Sequence, residues 1–209
     1  MSWGDSFIPS ANRLSLWLAL LGAVGCQVTP TTPPRSELVK MNLAHVADVG
    51  SLTRWSLIGK FGVRQPDSGT SFGIVWDQDG SDYEIRVRGP MGQSAALLRG
   101  NEHRVTIERA GEPTLTGDDV QALLREALGW EVPVNTLRFW IRGLPDPALE
   151  VESASYLDTG WFAELVQLEW HVKFSRYRAI EAFSLPGRVK ASRDGVTLTL
   201  VVTRWNVSE

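Results

Sequence analysis

Apolar and polar residues alternate over long parts of the chain, a pattern typical of β-strands with one buried face. The first such run places Trp55, Leu57, Phe61 and Val63 on one side, with polar or small residues between them. Turn residues separate it from further runs, which lie at 72–76, 83–88, 95–98, 105–107, 151–156, 161–170, 172–174 and 196–205. Short alternating strands separated by turns predict an antiparallel sheet.

Three segments have the spacing of apolar positions that is typical of helices. In the first, Ser36 is expected to cap a helix that ends near Gly50. The second runs from Thr116 to Gly129 and the third from Pro133 to Gly143. Because helices must bury their apolar side against the sheet, the sequence predicts a mainly β fold with helical insertions (α+β), arranged as a half-barrel with a helical lid.

The N-terminal segment is typical of an export signal. An apolar run from Leu14 to Val24 follows Arg13 and is much shorter than the ~20 residues that a membrane-spanning helix needs. It ends in Ala23-Val24-Gly25-Cys26, which resembles the cleavage site of a bacterial lipoprotein. We therefore expect a signal peptide at residues 1–25 and lipid attachment at Cys26. The alternative is a plain secretory signal followed by an accidental cysteine.

Cys26 is the only cysteine of the chain, so no internal disulfide is available to the exported protein, and lipidation would remove an otherwise reactive thiol. Residues 26–35 contain several prolines and threonines, and we expect them to form an extended tether before a domain at 36–209. Gln27 follows the cysteine where an aspartate commonly retains lipoproteins in the inner membrane, and this favours the outer membrane.

Composition and motifs exclude several classes of function. A net charge of −3 without a basic block argues against a nucleic-acid partner. The three histidines, His45, His103 and His171, lack the spacing of metal ligands, and no nucleophile elbow, phosphate loop or dinucleotide fingerprint is present in the sequence. We therefore expect no catalytic residues, no metal and no cofactor. The pair Asp118-Asp119 is better explained as acids at a helix N-terminus.

An ordered set of motifs between about residues 52 and 205 resembles one known family. The strongest stretch runs from Val132 to Pro145, a proline-led helix that ends in a tryptophan and is followed by Gly-Leu-Pro. The other members of the set, in chain order, are Trp76, Gly89-Pro90-Met91-Gly92, Gln167 with Trp170, Leu185-Pro186 and Trp205. In this set the chain is similar to the LolB family, the outer-membrane receptors of the lipoprotein-sorting pathway.

The resemblance implies both a fold and a function. The fold would be an incomplete antiparallel β-barrel closed by an α-helical lid over an apolar cavity. The function would be that of a monomeric, non-enzymatic acceptor on the periplasmic side of the outer membrane. It would receive lipoproteins from a LolA-like periplasmic carrier, bind their acyl chains and insert them into the outer-membrane lipid.

The acyl-binding cavity would be lined by large apolar side chains of the sheet and the lid. The candidates are Trp55, Phe61, Phe72, Trp76 and Tyr83 on the strands, and Leu137, Trp140, Ile141 and Leu144 on the lid. The alternative is that these residues fill a solid core.

The loop Pro90-Met91-Gly92 places an apolar side chain at a turn between strands, where polar residues are usual. The family carries a functional hydrophobic residue in this loop, so the resemblance implies that Met91 inserts into the membrane during release. The alternative is that Met91 folds back onto the sheet.

Two other functions remain open from the sequence. One is a periplasmic carrier of the same fold that binds a lipid or glycolipid. The other is a structural outer-membrane lipoprotein with a filled core.

Overall fold

Thirteen strands and three helices occupy the residues that a computed structural model of the chain describes, which are 33–89, 94–128 and 133–208. The helices are α1 (Arg35–Gly50), α2 (Val120–Leu128) and α3 (Val134–Trp140). The first six strands are β1 (Arg54–Gln65), β2 (Ser68–Asp79), β3 (Asp82–Arg88), β4 (Ser94–Gly100), β5 (Val105–Glu108) and β6 (Leu115–Gly117). The remaining strands are β7 (Ser153–Tyr156), β8 (Phe162–Gln167), β9 (Trp170–Ser175), β10 (Arg178–Ile180), β11 (Phe183–Leu185), β12 (Arg188–Arg193) and β13 (Val196–Ser208).

Eleven of these strands form one antiparallel sheet in the order β6-β5-β4-β3-β2-β1-β13-β12-β9-β8-β7. β6 and β7 are its two edges and do not pair with each other, so the sheet remains open. The pair of β10 and β11 forms a separate small hairpin. The predicted half-barrel with helical insertions is confirmed.

The two halves of the sheet join where β1 pairs with β13, from Arg54 opposite Ser208 to Arg64 opposite Thr197. The register of this pair shifts between Ile58 and Gly59, and such bulges bend a strand. A Cβ atom at Gly59 would lie 2.5 Å from the carbonyl oxygen of Val201, so only glycine allows this close approach.

Two predicted helix boundaries are wrong. Ser36 lies inside the first turn of α1, because the carbonyl oxygen of Pro34 already accepts the first hydrogen bonds, from the Glu37 and Leu38 N–H groups. Thr116 pairs with Thr106 as part of β6, so α2 begins only at Val120. The physical reason for this second difference is that residues 115–117 form their backbone hydrogen bonds with β5. The helix therefore begins only after them, where Asp119 caps it.

α3 is also shorter than predicted and ends at Trp140, while Gly143 lies in the turn that follows. Residues 141–144 are nevertheless buried, so this turn belongs to the core.

The side-chain amide of Gln167, which has no exposed surface, connects α3 to the segment behind it. Its Oε1 accepts hydrogen bonds from Trp140 Nε1 at 2.9 Å and from the Asp146 N–H at 3.0 Å. Its Nε2 donates to the carbonyl oxygens of Asp146 and Leu149, at 3.0 and 3.1 Å. All the hydrogen-bonding atoms of this amide are therefore used to hold one loop and the end of one helix.

α1 packs against β7 and β11 and buries polar atoms in that contact. The His45 ring lies 5.6 Å from the Trp161 ring and 6.3 Å from the Tyr177 ring. Its buried Nε2 has no hydrogen-bond partner among the described residues, and the same holds for Nδ2 of Asn42. Burial lowers the pKa of His45, and the smaller effect of Asp48 opposes it.

Replacing Gln167 with leucine should lower the free energy of unfolding by about 3 kcal/mol or more. The substitution leaves four polar groups, on Trp140, Asp146 and Leu149, without their hydrogen-bond partner, and each buried group of this kind costs ~1–3 kcal/mol. Urea denaturation at neutral pH measures this. The exposed Gln121 of α2 offers a control, and Gln121→Leu should change stability by less than about 0.5 kcal/mol. Equal stabilities of the two variants would contradict the role of Gln167.

The lowered pKa of His45 makes stability depend on pH. Below the ordinary value of 6.5, the unfolded chain takes up a proton that the folded chain does not, so stability should decrease as the pH falls through this range. Urea midpoints measured between about pH 7.5 and about pH 5.5 test this. His45→Phe should flatten the profile, whereas replacing the exposed His103 with glutamine should leave its slope unchanged.

Candidate functional site

A cavity with wholly apolar walls lies between α2, α3 and the first half of the sheet. Its volume is about 50 Å³. The walls are formed by Phe61, Phe72, Ile74, Trp76, Ile85, Val87 and Leu98 of the strands, Leu124 of α2, and Val134 and Leu137 of α3. Without a polar group to hold water, a cavity of this kind favours a hydrocarbon occupant.

The alternation of the strands explains why these side chains meet. Residues two apart point to the same face, so Ile74 with Trp76, and Ile85 with Val87, face the helices together. The other face of the sheet is more exposed, as at Ile58, which is 38% exposed. The cavity face is thus set by the period-two pattern, and its position along the sheet by where the helices cover it.

The two lid helices are held differently. α2 packs against β5 and the three-residue edge strand β6, with its first turn capped by Asp119, whose Oδ1 accepts a hydrogen bond from the Ala122 N–H at 2.9 Å. α3 is held at its end by the hydrogen bond from Trp140 to Gln167. A buried side-chain hydrogen bond thus holds the end of α3, whereas the capping hydrogen bond of α2 is exposed.

The volume of the cavity limits what it holds in this conformation. Pockets for drug-sized ligands measure ~300–1,000 Å³, several times the volume of this cavity. A cavity of about 50 Å³ has no room for a long acyl chain. The lid must move away from the sheet before such a chain enters.

The structure brings together four of the nine side chains that the sequence suggests as cavity lining: Phe61, Phe72, Trp76 and Leu137. The other five, which are Trp55, Tyr83, Trp140, Ile141 and Leu144, are buried outside the walls of this cavity.

These five residues have other contacts. Trp55 lies between the rings of Trp76 and Trp205, at 5.7 and 5.6 Å. Trp140 lies 6.3 Å from the Trp170 ring. These aromatic contacts stabilise the core beside the cavity.

Six lining residues are absent from the sequence-based set: Ile74, Ile85, Val87, Leu98, Leu124 and Val134. Those on the strands share the period-two pattern with Trp76, and Leu124 lies on the apolar side of α2. A search for the whole alternating face, rather than for aromatic residues, identifies the four that lie on strands.

Two predicted functional positions lie outside the described residues. Cys26 is one, and the loop Pro90-Met91-Gly92 is the other. The strands that flank this loop are described: β3 ends at Arg88 and β4 begins at Ser94. Because neighbouring strands are antiparallel, these ends lie at the same end of the sheet as the turn between β1 and β2.

Helices α1, α2 and α3, in the described part of the chain, lack the length and apolar character required to span a bilayer.

Comparison with known proteins gives a consistent result over most of the chain. Residues 53–205 match the family described as "Outer membrane lipoprotein LolB". The outer-membrane lipoprotein LolB of Cellvibrio japonicus (strain Ueda107) is 31% identical over 202 residues, covering 93% of this chain and 98% of the relative. The protein of the same name from Pseudomonas aeruginosa (strain LESB58) is 36% identical over 164 residues, covering 77% of this chain and 78% of its own.

Among solved structures, a LolA superfamily protein from Nitrosomonas europaea has a similar fold. Its TM-score is 0.52 at 6% identity, and the match covers 83% of this chain and 93% of that protein. At this level of identity the likeness concerns the fold alone.

Filling the cavity should block apolar ligands. Ile85→Trp places a larger side chain at the cavity wall, and we expect the affinity for an apolar fluorescent probe to fall about tenfold or more, since a loss of ~1.4 kcal/mol is sufficient. The overpacked core should lose about 1–3 kcal/mol of stability, so unfolding is measured in parallel. The outward-facing Ile58→Trp is the matched control. Unchanged probe binding by a folded Ile85→Trp variant would place the binding site elsewhere.

Proposed function

The chain belongs to the LolB family of outer-membrane lipoproteins, and from this membership we infer that it is the outer-membrane receptor of a lipoprotein localisation pathway. In this function it receives lipoproteins from a LolA-like periplasmic carrier and inserts them into the outer membrane. The single structural observation that carries the inference is the all-apolar cavity beneath the helical lid.

The chemistry of the cargo explains why such a cavity is needed. A bacterial lipoprotein with three acyl chains carries about 45 methylene groups, and exposing them to water costs on the order of 35 kcal/mol at ~0.8 kcal/mol each. A protein that accepts this cargo must replace water with an apolar surface throughout the transfer. The ten apolar lining side chains supply such a surface without a competing polar group.

Opening of the lid is part of the proposal. α2 rests on the edge of the sheet, whereas α3 is joined to the core through Trp140 and Gln167. Displacement of α2 would therefore expose Leu124 and the strand residues beneath it at a smaller cost than displacement of α3. The acyl chains then take the place of the apolar face of α2 against the sheet.

The transfer is proposed to run down a gradient of affinity, from the carrier to this receptor and then to the bilayer. Each step needs only a modest difference, because ~1.4 kcal/mol gives a tenfold bias. Binding and release of the cargo involve no chemical change in it, so we propose that the protein acts as a receptor and not as an enzyme. The proposal also takes the receptor to be a monomer.

The N-terminal segments belong to the same proposal. Residues 1–25 would direct export, Cys26 would carry the lipid anchor, and residues 26–35 would tether the domain to the periplasmic face of the outer membrane. The role of the anchor is to place the receptor at the membrane that its cargo enters.

A transfer experiment tests the function. The protein is mixed with carrier that is loaded with a labelled lipoprotein, and the label is followed first to the receptor and then to vesicles of outer-membrane lipid. We expect the label to move in that order. Label that stays on the carrier would refute the function, and free lipid co-purifying in its place would favour the periplasmic lipid carrier considered above.

In the same assay, Met91→Glu should leave loading of the receptor unchanged but block incorporation of the label into vesicles, because burying a carboxylate in a bilayer is costly. Met41 of α1, which is 37% exposed, provides a matched control, and Met41→Glu should transfer cargo normally. Normal incorporation by Met91→Glu would remove this residue from the membrane step.

A further inference from the structure

Residues of α3 and of the turn after it line two pockets of different character. Val134 and Leu137 face the apolar cavity, while Arg138, Phe139 and Arg142 line a second pocket of about 220 Å³. Its other walls are Gly50, Leu52, Thr53, Trp55, Gln78, Gly80, Ser81 and Glu102. This second pocket lies by the β2–β3 turn, at the opposite end of the sheet from the strand ends that flank Met91.

Arg142 is a buried cation whose hydrogen-bond partners are neutral. Only 7% of its surface is exposed. Its Nη1 donates to the carbonyl oxygens of Leu52 at 2.8 Å and Val49 at 3.3 Å, and its Nε donates to that of Arg138 at 3.1 Å. Burial, with a further contribution from the charge of Arg138, lowers the pKa of Arg142 to about 10, so the guanidinium remains charged at neutral pH.

Arg138 is the second cation of this pocket. Its Nη2 donates to Glu102 Oε1 at 2.6 Å, but its buried Nε has no hydrogen-bond partner among the described residues. The neighbouring Tyr83 hydroxyl is also buried and without a partner in that part of the chain. Burial raises the pKa of Tyr83 to about 12, and the charge of Arg138 acts weakly in the opposite direction.

The charges of the pocket do not balance. Two guanidinium groups face one carboxylate, since among the described residues Arg142 has no acidic partner within ion-pair distance. Aromatic rings flank both cations: Arg138 lies 4.8 Å above the Phe139 ring, and Arg142 lies 5.6 Å from that ring and 5.9 Å from Trp55. These cation–π contacts hold the two guanidinium groups beside the rings.

We propose that this pocket binds a small phosphate-bearing anion. A tetrahedral phosphate accepts hydrogen bonds from two guanidinium groups at once and supplies the negative charge that the pocket lacks. The same chemistry is offered by free phosphate and by a phospholipid headgroup. The site is distinct from the acyl cavity of the proposed function, and its binding is measured without any lipoprotein.

Isothermal titration calorimetry of the full-length protein with inorganic phosphate tests the proposal. We expect saturable binding with a Kd on the order of 1 mM. Arg138→Gln should weaken this binding about tenfold, because it removes a charged donor. Arg99→Gln, in an exposed network with Glu84 and Glu108, should leave the binding unchanged.

A second variant gives the opposite sign and keeps the test independent of folding defects. Glu102 is half-exposed and competes with the anion for Arg138, so Glu102→Gln should tighten phosphate binding severalfold. Parallel titrations with glycerophosphoethanolamine and with phosphatidylethanolamine vesicles identify the source of the anion. If either probe binds more tightly than phosphate, the ligand is a phospholipid headgroup. If phosphate alone binds, the ligand is the free anion. Lack of saturable binding of all three probes, or binding that neither Arg138→Gln nor Glu102→Gln alters, would overturn the proposal.

Discussion

The hydrogen bonds of the Gln167 side chain hold α3, one wall of the cavity, in place. α3 has only seven residues, too few to be stable as an isolated helix, so its position depends on what holds it from outside. Gln167 holds Trp140 at its end, and Arg142 ties the turn behind it to the carbonyl oxygens of Val49 and Leu52. With α3 held in this way, α2 is the part of the lid that we propose to move.

This proposed division between a fixed and a movable helix suits a receptor that must accept cargo and then release it. The fixed wall, with Leu137 and Val134, keeps the apolar surface in shape, while α2 protects that surface from water when cargo is absent. In this structure the cavity has a volume of about 50 Å³. Its aromatic neighbours, such as Trp55 and Trp205, give the sheet a rigid base next to the opening.

The sequence predicted the sheet well because one of its faces is buried, and burial of one face imposes a period of two. It predicted the lid less well. The segment that begins at Thr116 has the composition of a helix start, but Thr116 itself lies in an edge strand that pairs with β5. Aromatic size was a poor guide to the cavity: Trp55 and Phe61 share one face of β1, yet only Phe61 lines the apolar cavity, whereas Trp55 lines the second pocket beside α3. Pocket volume and the charge imbalance around Arg142 depend on how closely distant elements approach, which no local pattern records.

The pairing of β1 with β13 also determines how the chain reaches its native state. Arg54 and Ser208 are neighbours in space although nearly the whole domain separates them in sequence. Contacts between such distant residues form slowly, and this one requires the C-terminal strand to have emerged from the export machinery. Until then β1 is an unpaired edge, open to aggregation, in a compartment where the half-formed sheet also exposes its apolar face. Periplasmic folding factors that shield strand edges would therefore matter for the yield of this receptor before it ever meets its cargo.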